Sequence, residues 1–466
     1  MLIAVAQGLV EGPRWQMVPA YALTALCLLV SMSNKAAHSS GIAERFQLPQ
    51  LVAVLGMAWL AVAVALPMLM PVFGFPTPGG PYAIGSVTTH WVDDSRVEAF
   101  AADPKARRQL MVQVWYPAQA DPSAPRVGYM ADADALTAAL ARVQNIPAFV
   151  FGHFKYVTTN ARSAVAVAAG QARYPVLLFL EGATGFRQMN AFQVEHLVSH
   201  GYIAVAIDQP GAAAVVFPDG HLAVGLTVPQ FRSMVDPSYM PVGTQASRTG
   251  LLLPNGNTLT DNSIIPYLAQ DVSFTLDRLV ALNLADPAGI LTGRLDLQPI
   301  GVFGVSLGGI VAGEACRRDP RLQACLVMDA AMSTDVAKAG LQQPGMWLTR
   351  DAASVRLERQ RAGGWSEAQI EAHQTSMRAV YESLPADGYF VRVPGMFHSN
   401  FTDIANWTPL VTLWGQAGPI GAQRRHDIVN AYTLAFFDRH LLDRSTVLLD
   451  GPAKQYPEVV FKSRRP

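Results

Sequence analysis

Gly304-Val305-Ser306-Leu307-Gly308 limits what this chain can fold into more than any other stretch. It reads G-x-S-x-G. The apolar run Pro299-Ile300-Gly301-Val302-Phe303 before it suits a buried strand, and residues 309–316 after it suit the first turns of a helix. Strand, sharp turn and helix in that order lift a serine hydroxyl clear of the top of a sheet, and the glycines permit the tight backbone. A bare G-x-S-x-G recurs by chance, so the flanking pattern carries the reading. Ser306 is a candidate nucleophile; the bland alternative is an ordinary turn serine.

From residue 82 onward, strand and helix patterns alternate. Residues 82–93 and 109–116 read as an opening antiparallel pair. Residues 175–180 and 202–207 are continuous apolar runs, as in strands covered on both faces. Residues 322–328, 345–348 and 389–393 supply three more strands. Helical patterns lie between them at 189–200, 269–284, 307–317 and 427–442. This alternation predicts an α/β fold built on a mostly parallel, doubly wound sheet. Two stretches break the alternation, 121–172 and 211–265; the first holds a helical piece at 132–143, and the second is rich in Gly, Pro, Ser and Thr. Both are expected to be insertions over the C-terminal edge of the sheet, where ligands bind in such folds. There is no internal repeat.

The turn-rich residues 75–81 separate this catalytic-type domain, 76–466, from an apolar N-terminal region, 1–75. Residues 51–75 carry no charge, and residues 15–32 form a second apolar run. At a rise of about 1.5 Å per residue, both can cross a hydrocarbon core of about 30 Å. The expectation is a transmembrane helical hairpin with helices near 15–32 and 51–73. Alternatives are a signal peptide at the first run or a buried soluble helix pair. Residues 1–10 are apolar but too short to span, and could be the remnant of a further helix. Lys35 and Arg45 between the runs put that connection in the cytoplasm and the large domain on the external or periplasmic side, with Arg14 arguing against.

Of 466 residues, 35 are Lys or Arg and 35 are Asp or Glu, so no basic field exists to attract nucleic acid. Charged residues make up 15% and mean hydropathy is +0.20, the excess lying at the N-terminus. Cys27, Cys316 and Cys325 show no metal-type spacing, and the last two are expected to be buried free thiols.

A serine hydroxyl needs a histidine to take its proton and an acid to orient that histidine. In the α/β-hydrolase arrangement the chain order is Ser, acid, His. His398 follows the last strand; His373, His426 and His440 sit in helical patterns. Asp329 ends the strand directly after the nucleophile's, and Asp351 ends the next; topology in the general fold favours the later one. Asp403 more plainly caps or positions its loop. An oxyanion hole would use two backbone N–H groups: that of Leu307, and that of Ala183 in the loop Glu181-Gly182-Ala183-Thr184-Gly185-Phe186-Arg187.

With these residues in place, the chain resembles the platelet-activating-factor acetylhydrolase-like family, a branch of the α/β-hydrolases. The resemblance runs over roughly 82–442. It is carried by Arg108-Gln-Leu-Met-Val-Gln-Val-Trp-Tyr-Pro117, Gly185-Phe186-Arg187, His200-Gly201-Tyr202, Gln270-Asp271 with Leu276-Asp277, 304–309, Met328-Asp329-Ala330 and His398-Ser-Asn-Phe401. It implies Asp329 as the acid, with Asp351 the alternative. It also implies a serine mechanism with no metal or cofactor, acting on esters, often phospholipids with short acyl chains, here as a membrane-held member. A peptidase or thioesterase on the same fold, or a silent receptor, are the rival readings. The chain departs from the family at Leu180-Glu181-Gly182, where Ser-His-Gly is usual, and at Val305, where His is usual.

Overall fold

The computed structural model describes residues 2–39, 50–144, 146–239, 251–253, 255–259 and 263–465. Three helices open the chain: α1 (Leu2–Val10), α2 (Val18–Ser39) and α3 (Gln50–Leu69). There follow β1 (Ala83–Val97), β2 (Arg107–Ala118), β3 (Arg126–Gly128), α4 (Ala133–Gln144), β4 (Thr158–Ser163), β5 (Tyr174–Leu180), α5 (Ala191–Ser199) and β6 (Ile203–Asp208). Two small ribbons, β7 (Val215–Val216) with β8 (Leu222–Ala223) and β9 (Leu251–Leu252) with β10 (Thr258–Leu259), flank α6 (Val228–Val235). Then come α7 (Ile264–Leu284), β11 (Leu295–Val305), α8 (Leu307–Arg318), β12 (Leu322–Met328), α9 (Thr334–Ala339), β13 (Gly345–Thr349), α10 (Ala352–Ala362), α11 (Glu367–Ser383) and β14 (Gly388–Arg392). α12 (Ile404–Trp407), α13 (Leu410–Leu413), α14 (Ala422–Leu442) and β15 (Val460–Arg464) complete the chain.

An 11-stranded sheet runs in the order β15-β14-β13-β12-β11-β5-β6-β2-β1-β4-β3. From β6 through β5, β11, β12 and β13 to β14, neighbours pair in parallel. The opening pair β1 and β2 is antiparallel, and so is β2 against β6. The sheet therefore matches the predicted α/β class. The continuous apolar runs of its centre are explained by burial on both faces. One face packs α7, α8 and α11 through Leu268, Val272, Val311 and Met377. The other packs α5 and α14 through Val194, Ile428 and Phe436.

Register brings three strand ends together. Gly304 lies opposite Leu180, and Val305 opposite Met328. Only glycine fits at Gly308, where a Cβ would strike the Leu180 carbonyl, and at Gly304, where it would strike Gly308.

The stretch 121–172 contributes α4, the edge strand β3 and its neighbour β4. The stretch 211–265 contributes the small ribbons and α6; its residues 240–250, 254 and 260–262 lie outside the described residues. Trp15–Ser33 and Val52–Leu69 are long and apolar enough to cross a membrane, and Trp59 Nε1 donates to Pro19 O at 2.8 Å across the pair. α3 ends at Leu69 rather than near 73, just before Pro71, which has no N–H to continue it. α2 runs on to Ser39, so Lys35 belongs to that helix rather than to the connection. Arg45 lies outside the described residues.

Candidate active site

Ser306 stands between β11 and α8 with φ 57° and ψ −122°. A serine does not take up that left-handed, strained conformation unless the surroundings impose it. The imposition is visible. The Ser306 N–H donates to Met328 O at 3.0 Å, and its carbonyl accepts the N–H groups of Gly309 and Ile310 at 3.0 and 3.2 Å, starting α8.

Asp329 is one residue past Met328, at the end of β12, and is buried. It too has a positive φ, 42°. Its N–H donates to Leu348 O at 3.0 Å. His398 lies in the turn after β14, and its Nδ1 is 2.6 Å from Asp329 Oδ2. The imidazole is 32% exposed.

The rest of the Asp329 carboxylate is occupied. Thr349 Oγ1 donates to Oδ1 at 3.0 Å. Arg350 Nε lies 2.9 Å from Oδ2, and its Nη1 pairs with Glu358. Burial pushes the Asp329 carboxyl up. Arg350 first, then His398 and His373, overcome that and hold it far below the usual carboxylate range. Burial also lowers the Arg350 ionisation, with Asp329 opposing. Trp365, on the turn between α10 and α11, lies with its ring centre 5.4 Å from the Arg350 guanidinium and 6.4 Å from the His398 ring.

The loop after β5 runs alongside the serine. A Cβ on Gly182 would stand 3.3 Å from Ser306 Cβ. Thr184 N–H donates to Ala212 O at 2.8 Å, and Gly185 N–H to Gly182 O at 3.0 Å. Among the described residues the Ala183 N–H makes no such backbone bond. Both ends of the loop are pinned. Glu181 Oε1 accepts the Gln209 N–H at 3.1 Å, and Asp208 accepts the Arg187 N–H at 2.6 Å and pairs with its guanidinium. Burial, then Asp208, pushes the Glu181 carboxyl well above its ordinary range. Gln209 also bonds Asp271 at 2.8 Å, which holds Arg108 at 2.6 Å. The family-like strings around Arg108 and Asp271 thus form one buried ion network under the loop.

The other candidates fall elsewhere. Asp351 Oδ1 accepts the Ser354 N–H at 2.9 Å and caps α10. Asp403 accepts Ala191 and Phe192 N–H groups at 2.7 and 3.3 Å, capping α5 rather than its own loop. His426 stacks on Phe192, and His440 bonds the Tyr389 hydroxyl. His373 comes within 3.9 Å of Asp329 but is buried, and burial drops it to about 4. Cys316 and Cys325 are free and buried. Sequence reasoning passed over Arg350, Thr349 and Trp365. The first two had a signal, polar groups directly after a buried strand; Trp365 had none, because a turn residue's neighbours are set by the fold.

A mostly parallel sheet with helices on both faces and a serine turn leading a helix defines an α/β-hydrolase. A solved ferulic acid esterase from Streptomyces cinnamoneus has the same fold, with TM-score 0.60 and 26% identity over 84% of this chain and 99% of that one. No family model matches. Platelet-activating factor acetylhydrolase of Cavia porcellus is 21% identical over 294 residues, 59% of each chain. That of Canis lupus familiaris is 23% identical over 313 residues, 64% of this chain and 63% of its own. A probable 1-alkyl-2-acetylglycerophosphocholine esterase of Arthroderma benhamiae is 23% identical over 303 residues, 62% of this chain and 66% of its own. The chain thus spans about three fifths of the length of these relatives. Together the likenesses support a place among platelet-activating-factor-acetylhydrolase-like esterases of the α/β-hydrolase type.

Proposed function

We propose that the chain is a membrane-held serine hydrolase of carboxylic esters, acting on lipid-like esters with short acyl chains. The observation that carries it is the 2.6 Å Asp329–His398 bond beside the strained Ser306 turn. His398 takes the Ser306 proton through its free nitrogen as Oγ attacks the ester carbonyl. The Leu307 and Ala183 N–H groups stabilise the oxyanion. Asp329 fixes the imidazole's tautomer and stabilises its charge. The tetrahedral adduct collapses as His398 returns the proton to the leaving alcohol, giving an acyl-enzyme. Water then attacks the acyl group, again giving its proton to His398, and the acid leaves as Ser306 is restored. Asp329 rather than Asp351 is the acid, since Asp351 is spent on a helix cap. The large domain lies on the external or periplasmic side.

The test is Ser306→Ala on short-chain nitrophenyl esters, with fluorophosphonate labelling of intact cells by a cell-impermeant probe. The variant is expected to lose several orders of magnitude in rate and all labelling. Wild-type rates in the variant would sink the reading. Labelling only after cells are broken would reverse the orientation.

A further inference from the structure

The apolar N-terminal helices meet the domain through specific side-chain contacts. The Thr408 hydroxyl donates to Leu69 O at the end of α3. Within the N-terminal region, buried Gln16 donates to Met70 O at 2.8 Å and ties the two helix ends together. Tyr156 OH donates to Pro13 O at 3.0 Å, and Trp15 meets Phe149 edge-on with ring centres 5.2 Å apart. Past α3, Phe73 packs against Tyr129 and Phe154. That aromatic cluster runs through Trp407 to Phe186 of the loop beside Ser306. Read as membrane spans, the helices therefore end at fixed places on the domain, at Trp15 and at Leu69.

Close to both ends, large apolar side chains are left uncovered. Phe149, against Trp15, is 57% exposed; Leu413 and Trp414, a few residues beyond Thr408, are 79% and 53% exposed. Aromatic rings at the end of a span sit at headgroup level, and the continuity with α3 identifies the occupant of this face as the leaflet itself. From the same cluster opens a small apolar recess walled by Met130, Leu136, Leu140, Phe186, Val224 and Leu226. Thr184 and Gly185, directly after Ala183, also line it.

We propose that the face bearing Phe149, Leu413 and Trp414 is seated in the leaflet surface, and that the acyl chain of a lipid ester passes from that leaflet into the pocket between α4, the 181–187 loop and the strap at 224–226. This rests on the reading of the chain as a membrane-held ester hydrolase. Apolar contact lowers the cost of moving the acyl chain, because the chain is never fully hydrated on the way.

Two measurements on the full chain in phosphatidylcholine vesicles test it. The emission lost in Trp414→Phe is expected to be quenched by doxyl-labelled phosphatidylcholine and shielded from aqueous iodide; quenching by iodide alone overturns the seat. Leu413→Asp combined with Trp414→Asp is expected to slow hydrolysis of a vesicle-borne ester lipid about tenfold and to leave a water-soluble nitrophenyl ester within about twofold. Equal slowing on both substrates, or none on the lipid, overturns the delivery route. If the wild type hydrolyses neither ester, the hydrolase reading falls, and the quenching still decides the seat.

Discussion

Replacing Arg350 by Met removes a buried cation whose Nε lies 2.9 Å from Asp329 Oδ2. His398 Nδ1 is bonded to the same oxygen at 2.6 Å, so the two nitrogens lie within about 5.5 Å of each other. That guanidinium is the largest of the charges that hold the buried Asp329 carboxyl ionised against its desolvation. Arg350→Lys keeps the charge but not the planar fork, so it is expected to keep part of that hold. Stability follows the same pair. The folded Asp329 carboxyl is held far below its unfolded range, so its contribution is present above the unfolded carboxylate range and is lost as pH falls toward the folded value. Removing Arg350 weakens that depression, so acid unfolding begins at higher pH, and breaking the pair costs about 3–5 kcal/mol near neutral pH. The assay is thermal unfolding followed across a pH series. An acid transition in Arg350→Met at the wild-type pH would refute the electrostatic reasoning and leave Arg350 a packing residue.

Asp271→Ala removes two of the bonds of buried Arg108, at 2.6 and 3.1 Å, and leaves it Glu98 at 2.8 Å, and should destabilise the fold by about 2–3 kcal/mol in denaturant titration; a change under about 1 kcal/mol would mean the network is wetter than its burial implies. Gly182→Val puts a branched side chain against Ser306, from a Cβ already 3.3 Å from the serine Cβ. Fluorophosphonate labelling should slow by about a hundredfold with thermal stability shifted by only a few degrees; labelling at the wild-type rate would show that the loop is not held beside the serine.

Much of the site was legible because its parts sit at the ends of strongly patterned elements. Ser306, Asp329 and His398 each follow a run of apolar residues, and such runs advertise buried strands. Which acid serves was not legible. Asp329 and Asp351 both follow strands, and only the structure shows that Asp351 spends its oxygen on Ser354 while Asp329 meets His398. The length of α3 was overread because composition alone cannot say at which proline a helix stops. His373 reads as helical and lies on α11, but only the fold brings it within 3.9 Å of Asp329.

By itself, the sequence determined the alternation that makes the sheet, the strand-turn-helix holding Ser306 and the two apolar helices. These are local facts, written in hydrophobic period and in glycines at consecutive positions. Only the tertiary structure decided the meeting of Asp329 with His398, the guanidinium of Arg350 on its carboxylate, the burial of Glu181 beside Asp208, and the joining of α3 to the aromatic cluster. Each depends on groups far apart in the chain, meeting where water is excluded. Charge and desolvation energies there are set by distance in space, which no spacing in the sequence records.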